Sequence, residues 1–321
     1  LQQGYDVTGI ILRLKPDNLA DSDIADAQRI ADALGIELHV VDRREIFRKK
    51  VIEPFVSEYL HARTPNPCVE CNAAIKFGAM LDYALEIGCD GIATGHYARI
   101  EENNGRYLLK RSESAKDQSY FLYKLNQHQL SHTVFPLEGL EKTEIREIAE
   151  KAGLPVAEKG DSQEICFVPD DNYIAYLSSL GVTSPKGNFV DLNGNVLGTH
   201  NGIINYTIGQ RKGLGIALGK PAFVTQIKPD TNEVVLGDNS EVFTNKLYAE
   251  QVNLMAIPEI TDGMELTAKI RYSHAGSPCK VYRTGADEIC CEFLEPVRAV
   301  TPGQAVVLYD GEYVAGGGII R

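Results

Sequence analysis

The stretch with the most chemistry in it is Thr64-Pro65-Asn66-Pro67-Cys68-Val69-Glu70-Cys71-Asn72. Two prolines fix the backbone ahead of a Cys-x-x-Cys, and a helix is expected to start just after it. A helix N-terminus lowers the pKa of a thiol, and the thiolate is the reactive form. Half of a zinc site and a redox pair are the ordinary readings of such a motif. Zinc asks for four ligands, and neither a second Cys-x-x-Cys nor a His-x-x-x-His is expected to complete the set. A thioredoxin-like motif would sit early in its fold with other flanks, so that reading is weaker still.

A second cysteine closes the run Lys159-Gly160-Asp161-Ser162-Gln163-Glu164-Ile165-Cys166-Phe167. A cysteine beside phenylalanine is ordinarily a small buried hydrophobe, yet this one follows a polar run just past a helix exit, where loops carry function. Both readings stay open. Cys89, Cys279, Cys290 and Cys291 read as core residues. Basic and aromatic residues interleave at Lys110-Arg111, at Lys116 to Phe121, in Tyr206 to Lys212 and at Ile270-Arg271-Tyr272. Such stretches could grip phosphates and stack bases, although each alone suits a solvated face equally well. His96, in Gly-His-Tyr-Ala-Arg, either touches a phosphate or caps its loop.

The elements that must position these residues alternate between strand and helix over the first ninety residues. Val7 to Leu12 is a short apolar run typical of a strand buried on both faces. Asp21-Ser22-Asp23 offers N-cap chemistry to a helix that ends at Gly35, and Ile36 to Asp42 follows as a strand. Glu45 to Leu60 is helix-rich, and a further helix runs from about Ala73 to Ile87. The strand Asp90 to Thr94 then leads into the His96 loop. This rhythm predicts a parallel sheet, whose ligands sit at the carboxyl ends of its strands, in the loops after Leu12 and Thr94. Asn126 to Phe135 reads as polar linker, and Thr143 to Ala152 as a short helix closed by Gly153 and Pro155. Beyond residue 180, Gly- and Asn-rich turns separate short strands, which lengthen and alternate after about Tyr248. That pattern reads as a small antiparallel barrel or sandwich.

The 321 residues suggest two or three domains, and the 44% apolar content supplies real cores. No apolar run approaches the ~18 residues of a membrane span, and no secretion signal is visible in Leu1 to Val7. Seven cysteines, an odd number, argue for a reducing cytoplasm over a disulfide scaffold. The net charge of −12 argues against a surface coated with phosphate-binding charge but leaves room for a local basic groove.

Seven segments, in order, resemble the tRNA-specific 2-thiouridylase family: TPNPCVECNAAIKFG, ATGHYAR, KDQSYFLY, FPLEGLEKTEIREIA, KGDSQEICF, YTIGQRKGL and TPGQAVVLYDG. The resemblance runs nearly end to end. It implies an α/β fold with three parts: a PP-loop-type ATP-binding domain with a parallel sheet over residues 1–132, a small mixed tRNA-contacting domain over 133–243, and an antiparallel β-barrel over 244–321. The implied reaction uses ATP with Mg²⁺ to activate C2 of the wobble uridine, position 34, and replaces its oxygen with sulfur. By position, Cys71 matches the nucleophile and Cys166 the persulfide-carrying cysteine, with a Cys71–Cys166 disulfide as one resolved state. Cys68 falls where members carry Asp or Cys, in a loop that meets the target base with Asn66 and Pro67; a proton relay is the role open to it. Leu12 and Gly95 match nucleotide-contacting positions. His96, Lys116, Asp117, Gln118, Arg271, Tyr272 and Gln304 match positions that meet tRNA. The implied partners are the tRNA anticodon arm and a persulfide donor, such as a cysteine desulfurase or a sulfur relay protein, with no membrane involved.

The family opens with a phosphate-gripping loop of the pattern Ser-Gly-Gly-Val-Asp-Ser, and nothing like it precedes Leu1. The chain is therefore expected to be incomplete at its N-terminus and to bind ATP poorly as it stands. Three competing readings follow. Cys68, Cys71 and Cys166 could ligate an iron–sulfur cluster. The chain could be a non-catalytic tRNA-binding remnant without the phosphate loop. A ligase of the same sheet family is the third, and it leaves the paired cysteines unexplained.

Overall fold

A computed structural model describes residues 1–15, 17–114, 116–154 and 165–321, and the side chains of residues 17–21 lie outside the described set. The segment from Lys159 to Glu164, ahead of Cys166, and Pro155, expected to close a helix, fall outside it as well. The N-terminal part holds strand β1 (Gly9–Arg13), helix α1 (Asp17–Leu34) and strand β2 (Leu38–Asp42), with β1 and β2 paired in parallel. Helix α1 starts four residues earlier than Asp21-Ser22-Asp23 suggested, directly after Pro16, and that acidic cluster lies inside it.

Two long helical runs follow, each interrupted by π-helix. The first joins α2 (Arg44–Phe47), a π-helical segment (Arg48–Ile52) and α3 (Glu53–Leu60). The second joins α4 (Pro67–Cys71), a π-helical segment (Asn72–Ala79) and α5 (Met80–Glu86). Both cysteines of the Cys-x-x-Cys thus lie within a helix, not ahead of one. Asn66 is extended and its side chain accepts from the Cys68 N–H at 3.2 Å, with Pro67 in the first turn. Asn-Pro is an N-cap and first-turn pair, so the sequence carried this start one motif earlier than it was read.

Strand β3 (Ile92–Ala93) leads to the hairpin of β4 (Ala98–Asn103) and β5 (Arg106–Arg111). The stretch read as linker is ordered: Asn126 caps α6 (Gln127–Ser131) through a capping box, and β6 (Thr133–Val134) pairs in parallel with β3. Leu130 is fully buried there. Helices α7 (Lys142–Lys151) and α8 (Tyr173–Ser179) follow.

The middle of the chain is a four-stranded sheet in the order β8 (Val196–His200), β7 (Gly187–Val190), β10 (Glu233–Gly237), β9 (Phe223–Lys228). The C-terminal part is a closed antiparallel barrel of β11 (Phe243–Leu254), β14 (Glu288–Arg298), β13 (Ser277–Gly285), β12 (Met264–Lys269), β15 (Ala305–Asp310) and β16 (Tyr313–Ile320), closed by the pairing of β11 with β16. Cys279 and Cys291 fill its interior.

Strand β15 welds the barrel to the N-terminal part. Successive strand residues point to opposite faces. Val306 and Leu308 accordingly enter the barrel core, while Ala305, Val307 and Tyr309 join a core with Phe77, Leu81, Tyr120 and Tyr123. The Tyr120 hydroxyl donates to the Ala305 carbonyl at 2.9 Å. At Gly317 a Cβ would stand 2.6 Å from the Tyr123 ring, so only glycine lets that ring lie on the barrel wall. Burying each such side chain contributes about 1.5–3 kcal/mol, which makes this junction a rigid mount. Among the described residues, no helix is long and apolar enough to cross a membrane.

Candidate functional site

Cys71 sits at the end of α4, buried in a small cluster with Phe47, Val51 and Ile75, against which Leu12, Leu14 and Phe167 pack. Phe167 brings the second cysteine. Its ring makes edge contacts with Phe47 at 5.6 Å and Phe55 at 5.3 Å, and a tilted contact with Tyr176 at 5.5 Å. Cys166, one residue before it, is exposed. Cys166 acts electrostatically on both Cys71 and Cys68, so the two thiols of α4 and the distant thiol beside Phe167 share one neighbourhood. No disulfide links them, and all seven cysteines are free.

Burial pushes the Cys71 thiol up to about 12, with the Lys76 ammonium opposing it and Cys166 and Cys68 adding to it. The Cys68 thiol, though exposed, is also held above its ordinary value by the protein packed around it and by Cys166. A low thiol pKa was expected from a helix N-terminus, but Cys71 lies one turn in and under cover, where desolvation of the thiolate wins. Lys76 went unnoticed in the sequence because it lies five residues from Cys71, about 140° away around an ordinary α-helix. The intervening segment is π-helical, so a residue five along becomes the hydrogen-bonded neighbour one turn on. Lys76 makes no ion pair among the described residues.

The loop leading to Cys68 is pinned from two sides. Thr64 N–H donates to the Pro302 carbonyl at 2.8 Å, Gln304 Nε2 to the Thr64 carbonyl at 2.9 Å, and Arg63 to the Ile320 carbonyl at 3.2 Å. Gly303, at φ +89°, comes so close that a Cβ would stand 2.8 Å from the Thr64 nitrogen. From the central sheet region, Thr207 Oγ1 meets Thr64 Oγ1 at 3.4 Å. Asn72 Nδ2 donates to the Phe121 carbonyl at 3.1 Å, and the Phe121 ring lies 4.6 Å from Tyr272, which connects Cys71 to the aromatic stretch.

The remaining candidates are spread around this centre. Leu12, the penultimate residue of β1, packs against the Cys71 cluster, and Gly95 is exposed past the carboxyl end of β3. Asp117 is buried and accepts from Ser112 N–H, Ser119 N–H and the Ser119 hydroxyl, so it folds its own turn. Gln118 accepts from Tyr97 N–H at 3.0 Å, and Arg271 donates to the Arg298 carbonyl at 3.0 Å. Lys116 is half-buried on the same turn as Asp117. His128 and His132, four apart, do have the spacing of half a zinc site, with rings 4.6 Å apart. Among the described residues, however, no three His, Cys, Asp or Glu side chains group closely enough to hold a metal ion, the thiols included.

His96 is buried against Phe77 and Phe135, with Nδ1 2.8 Å from the Thr94 hydroxyl. Burial, aided by Lys76, pushes its imidazole from the ordinary 6.5 down to about 3. The unfolded chain therefore takes up a proton here as pH falls below 6.5, and the folded one does not until about 3. Stability is lost across that window at up to about 1.4 kcal/mol per pH unit. Urea midpoints at pH 7 and pH 5 should show His96→Gln losing about 2 kcal/mol less than the parent on acidification; equal losses would contradict the buried neutral imidazole.

Comparison with known proteins matches three successive parts of the chain. Residues 1–170 match the model described as tRNA methyl transferase HUP domain, 175–238 the tRNA methyl transferase PRC-barrel domain, and 244–320 the aminomethyltransferase beta-barrel domain. Proteins named tRNA-specific 2-thiouridylase MnmA are similar over essentially the whole chain. That of Lachnoclostridium phytofermentans is 51% identical over 99% of this chain and 93% of its own length. Those of Clostridioides difficile and Carboxydothermus hydrogenoformans are 49% and 47% identical, each over 100% of this chain and 92% of its own length. These relatives match the chain from end to end, and the three family models together span it, so the chain belongs to the tRNA-specific 2-thiouridylase family.

Proposed function

We propose that this protein is an ATP-dependent tRNA sulfurtransferase that converts the wobble uridine to 2-thiouridine. The observation that carries the reading is the seating of Phe167 in the Cys71 cluster, because it holds Cys166 beside the only other thiol loop of the site. The α/β unit, taken as residues 1–132, would hold ATP at the ends of β1 and β3, near Leu12 and Gly95. Residues 133–243 and the barrel from 244 would clasp the anticodon arm, with Asn66, Pro67 and Cys68 at the target base. Lys116, Gln118, Arg271 and Tyr272 would line the RNA path, and His96, Asp117 and Gln304 would serve it from behind by shaping the backbone.

The chemistry follows from the poor leaving ability of the uridine oxygen. Attack of O2 on the α-phosphorus of ATP releases pyrophosphate and leaves AMP on O2, with Mg²⁺ neutralising the phosphates. The terminal sulfur of a Cys166 persulfide then attacks C2 and expels AMP. The Cys71 thiolate attacks the Cys166 sulfur, which forms a Cys71–Cys166 disulfide and frees the C2 sulfur as thiouridine. A thiol reductant supplies two electrons to reset the pair. Cys71 acting earlier, on the persulfide itself, would release sulfide beside the activated base with the same balance. Cys68 would relay a proton. The three thiols do not form a metal-holding group in this arrangement, so no step is routed through a cluster.

The test gives unmodified tRNA, ATP, Mg²⁺ and a persulfide donor to the full-length protein, and resolves the RNA on a gel containing an organomercury that retards thiolated species. ATP-dependent retardation is expected. Binding of tRNA without any retardation would replace this reading with that of a non-catalytic tRNA-binding protein.

A further inference from the structure

Tyr206 to Lys212 is a basic, aromatic stretch within one of the family-like segments, and none of its residues has a role in the thiol chemistry or among the matched site positions. Its base is tightly built. Thr207 N–H donates to Gln210 Oε1 at 3.0 Å, and Gln210 Nε2 donates to the Lys212 carbonyl at 3.0 Å. Gly209 N–H donates to the Val224 carbonyl and Val224 N–H to the Gln210 carbonyl, at 2.8 and 2.9 Å. Arg298 donates to the Gly209 carbonyl at 3.2 Å, which ties the segment to the barrel. Thr207 also meets Thr64, two residues before Asn66 in the loop that carries Cys68 and Cys71.

From this base Arg211 and Lys212 project into solvent, and among the described residues neither side chain has an ion pair or a hydrogen bond. Beside them opens a cavity of about 440 Å³ that includes Arg211, Leu214, Ile216 and Lys220 in its lining and has no acidic residue in it. In a protein of net charge −12, two adjacent cations left without a carboxylate stand out. Lys220, at the far side, is already paired with Asp238 at 2.9 Å.

We propose that Arg211 and Lys212 grip the RNA backbone, taking two phosphates flanking the target uridine. A guanidinium fork and a mobile ammonium match phosphate oxygens, and such contacts set register without reading sequence. Chain length fixes the neighbourhood: Arg211 is four steps along the chain from Thr207, so its backbone lies within about 14 Å of that of Thr207, which meets the Thr64 loop. The cations therefore serve the nucleotides next to the reacting base, not a distant arm of the tRNA. This rests on the tRNA reading above and adds to it a positioning site in the central sheet region.

The experiment is equilibrium binding of an unmodified tRNA transcript to the full-length protein over a salt series. Two phosphate contacts release about 1.4 counterions from single-stranded RNA. Arg211→Gln/Lys212→Gln is thus expected to bind about tenfold more weakly near 0.15 M salt, with a salt slope shallower by about 1.4. The charge-preserving swap Arg211→Lys/Lys212→Arg should keep the slope, and Lys280→Gln, at an exposed lysine on β13, should match the parent. A glutamine pair with the parent's affinity and slope overturns the proposal while leaving tRNA binding intact. A swap that loses as much as the glutamine pair overturns it too, since the charge would then not be what matters. A parent protein that binds no tRNA defeats the functional reading itself, and this site with it.

Discussion

Cys166→Ser is expected to lower single-turnover sulfur transfer to tRNA by at least about 10³-fold, and Cys71→Ser by a similar factor. A serine oxygen cannot carry a persulfide sulfur, and it cannot act as the attacking sulfur in thiol exchange. Residues that act as one unit are strongly non-additive, so the double variant should be no worse than either single one. Loss confined to the sulfur-transfer half, with ATP-dependent pyrophosphate release still detected, would assign both thiols to the second half of the reaction. Thiolation that survives Cys166→Ser with free sulfide would keep the enzyme class and discard the persulfide relay. The disulfide route adds a second readout: after one turnover without reductant, the parent should hold a Cys71–Cys166 bond detectable by non-reducing peptide mapping.

Why this pairing was only half legible in the sequence is a matter of distance and of helix type. Cys-x-x-Cys and its prolines mark a reactive loop on sight. The α/β alternation and the late alternating strands also carried over into the parallel pairs and the closed barrel. The partner thiol lies 95 residues away, and nothing local to Cys166 says that Phe167 will seat itself between Phe47 and Phe55. An aromatic beside a cysteine reads as core, and it is core; the core it joins happens to be the one around Cys71. Lys76 was hidden by a different cause, since the π-helix that turns it toward the thiols leaves no periodic signature. Short elements failed for a third reason. The two-residue strand β6 and the five-residue α6 are held by pairing and capping, with too few residues for a pattern to emerge. Asp117 and Gln304 were matched as RNA contacts, and their hydrogen bonds give them prior work in shaping the chain.

The burial that unites the thiols also governs when they can react. With the Cys71 thiol pushed from an ordinary 9.0 up to about 12, its thiolate fraction at pH 8 is about 900-fold below that of an ordinary thiol. A more basic thiolate is a better nucleophile, and a Brønsted coefficient of about 0.45 over three units returns roughly 20-fold. Alkylation of Cys71 in the free protein is therefore expected to be about 40-fold slower than that of a model peptide thiol at pH 8, before steric cover slows it further. Its logarithmic rate should keep rising with unit slope past pH 9, where the model thiol levels off. Lys76→Met removes the nearby cation that opposes the burial and should slow Cys71 further at every pH, while Lys76→Arg should restore the parent rate. Peptide mass spectrometry after timed iodoacetamide exposure reads all three. Rapid labelling of Cys71 that saturates near pH 9 would mean that the free protein holds an ionised nucleophile after all. Slow labelling that accelerates when tRNA and ATP are added would instead identify substrate engagement as the event that uncovers and ionises it. In that case the buried thiol guards against wasteful exchange with Cys166 until an activated base is present.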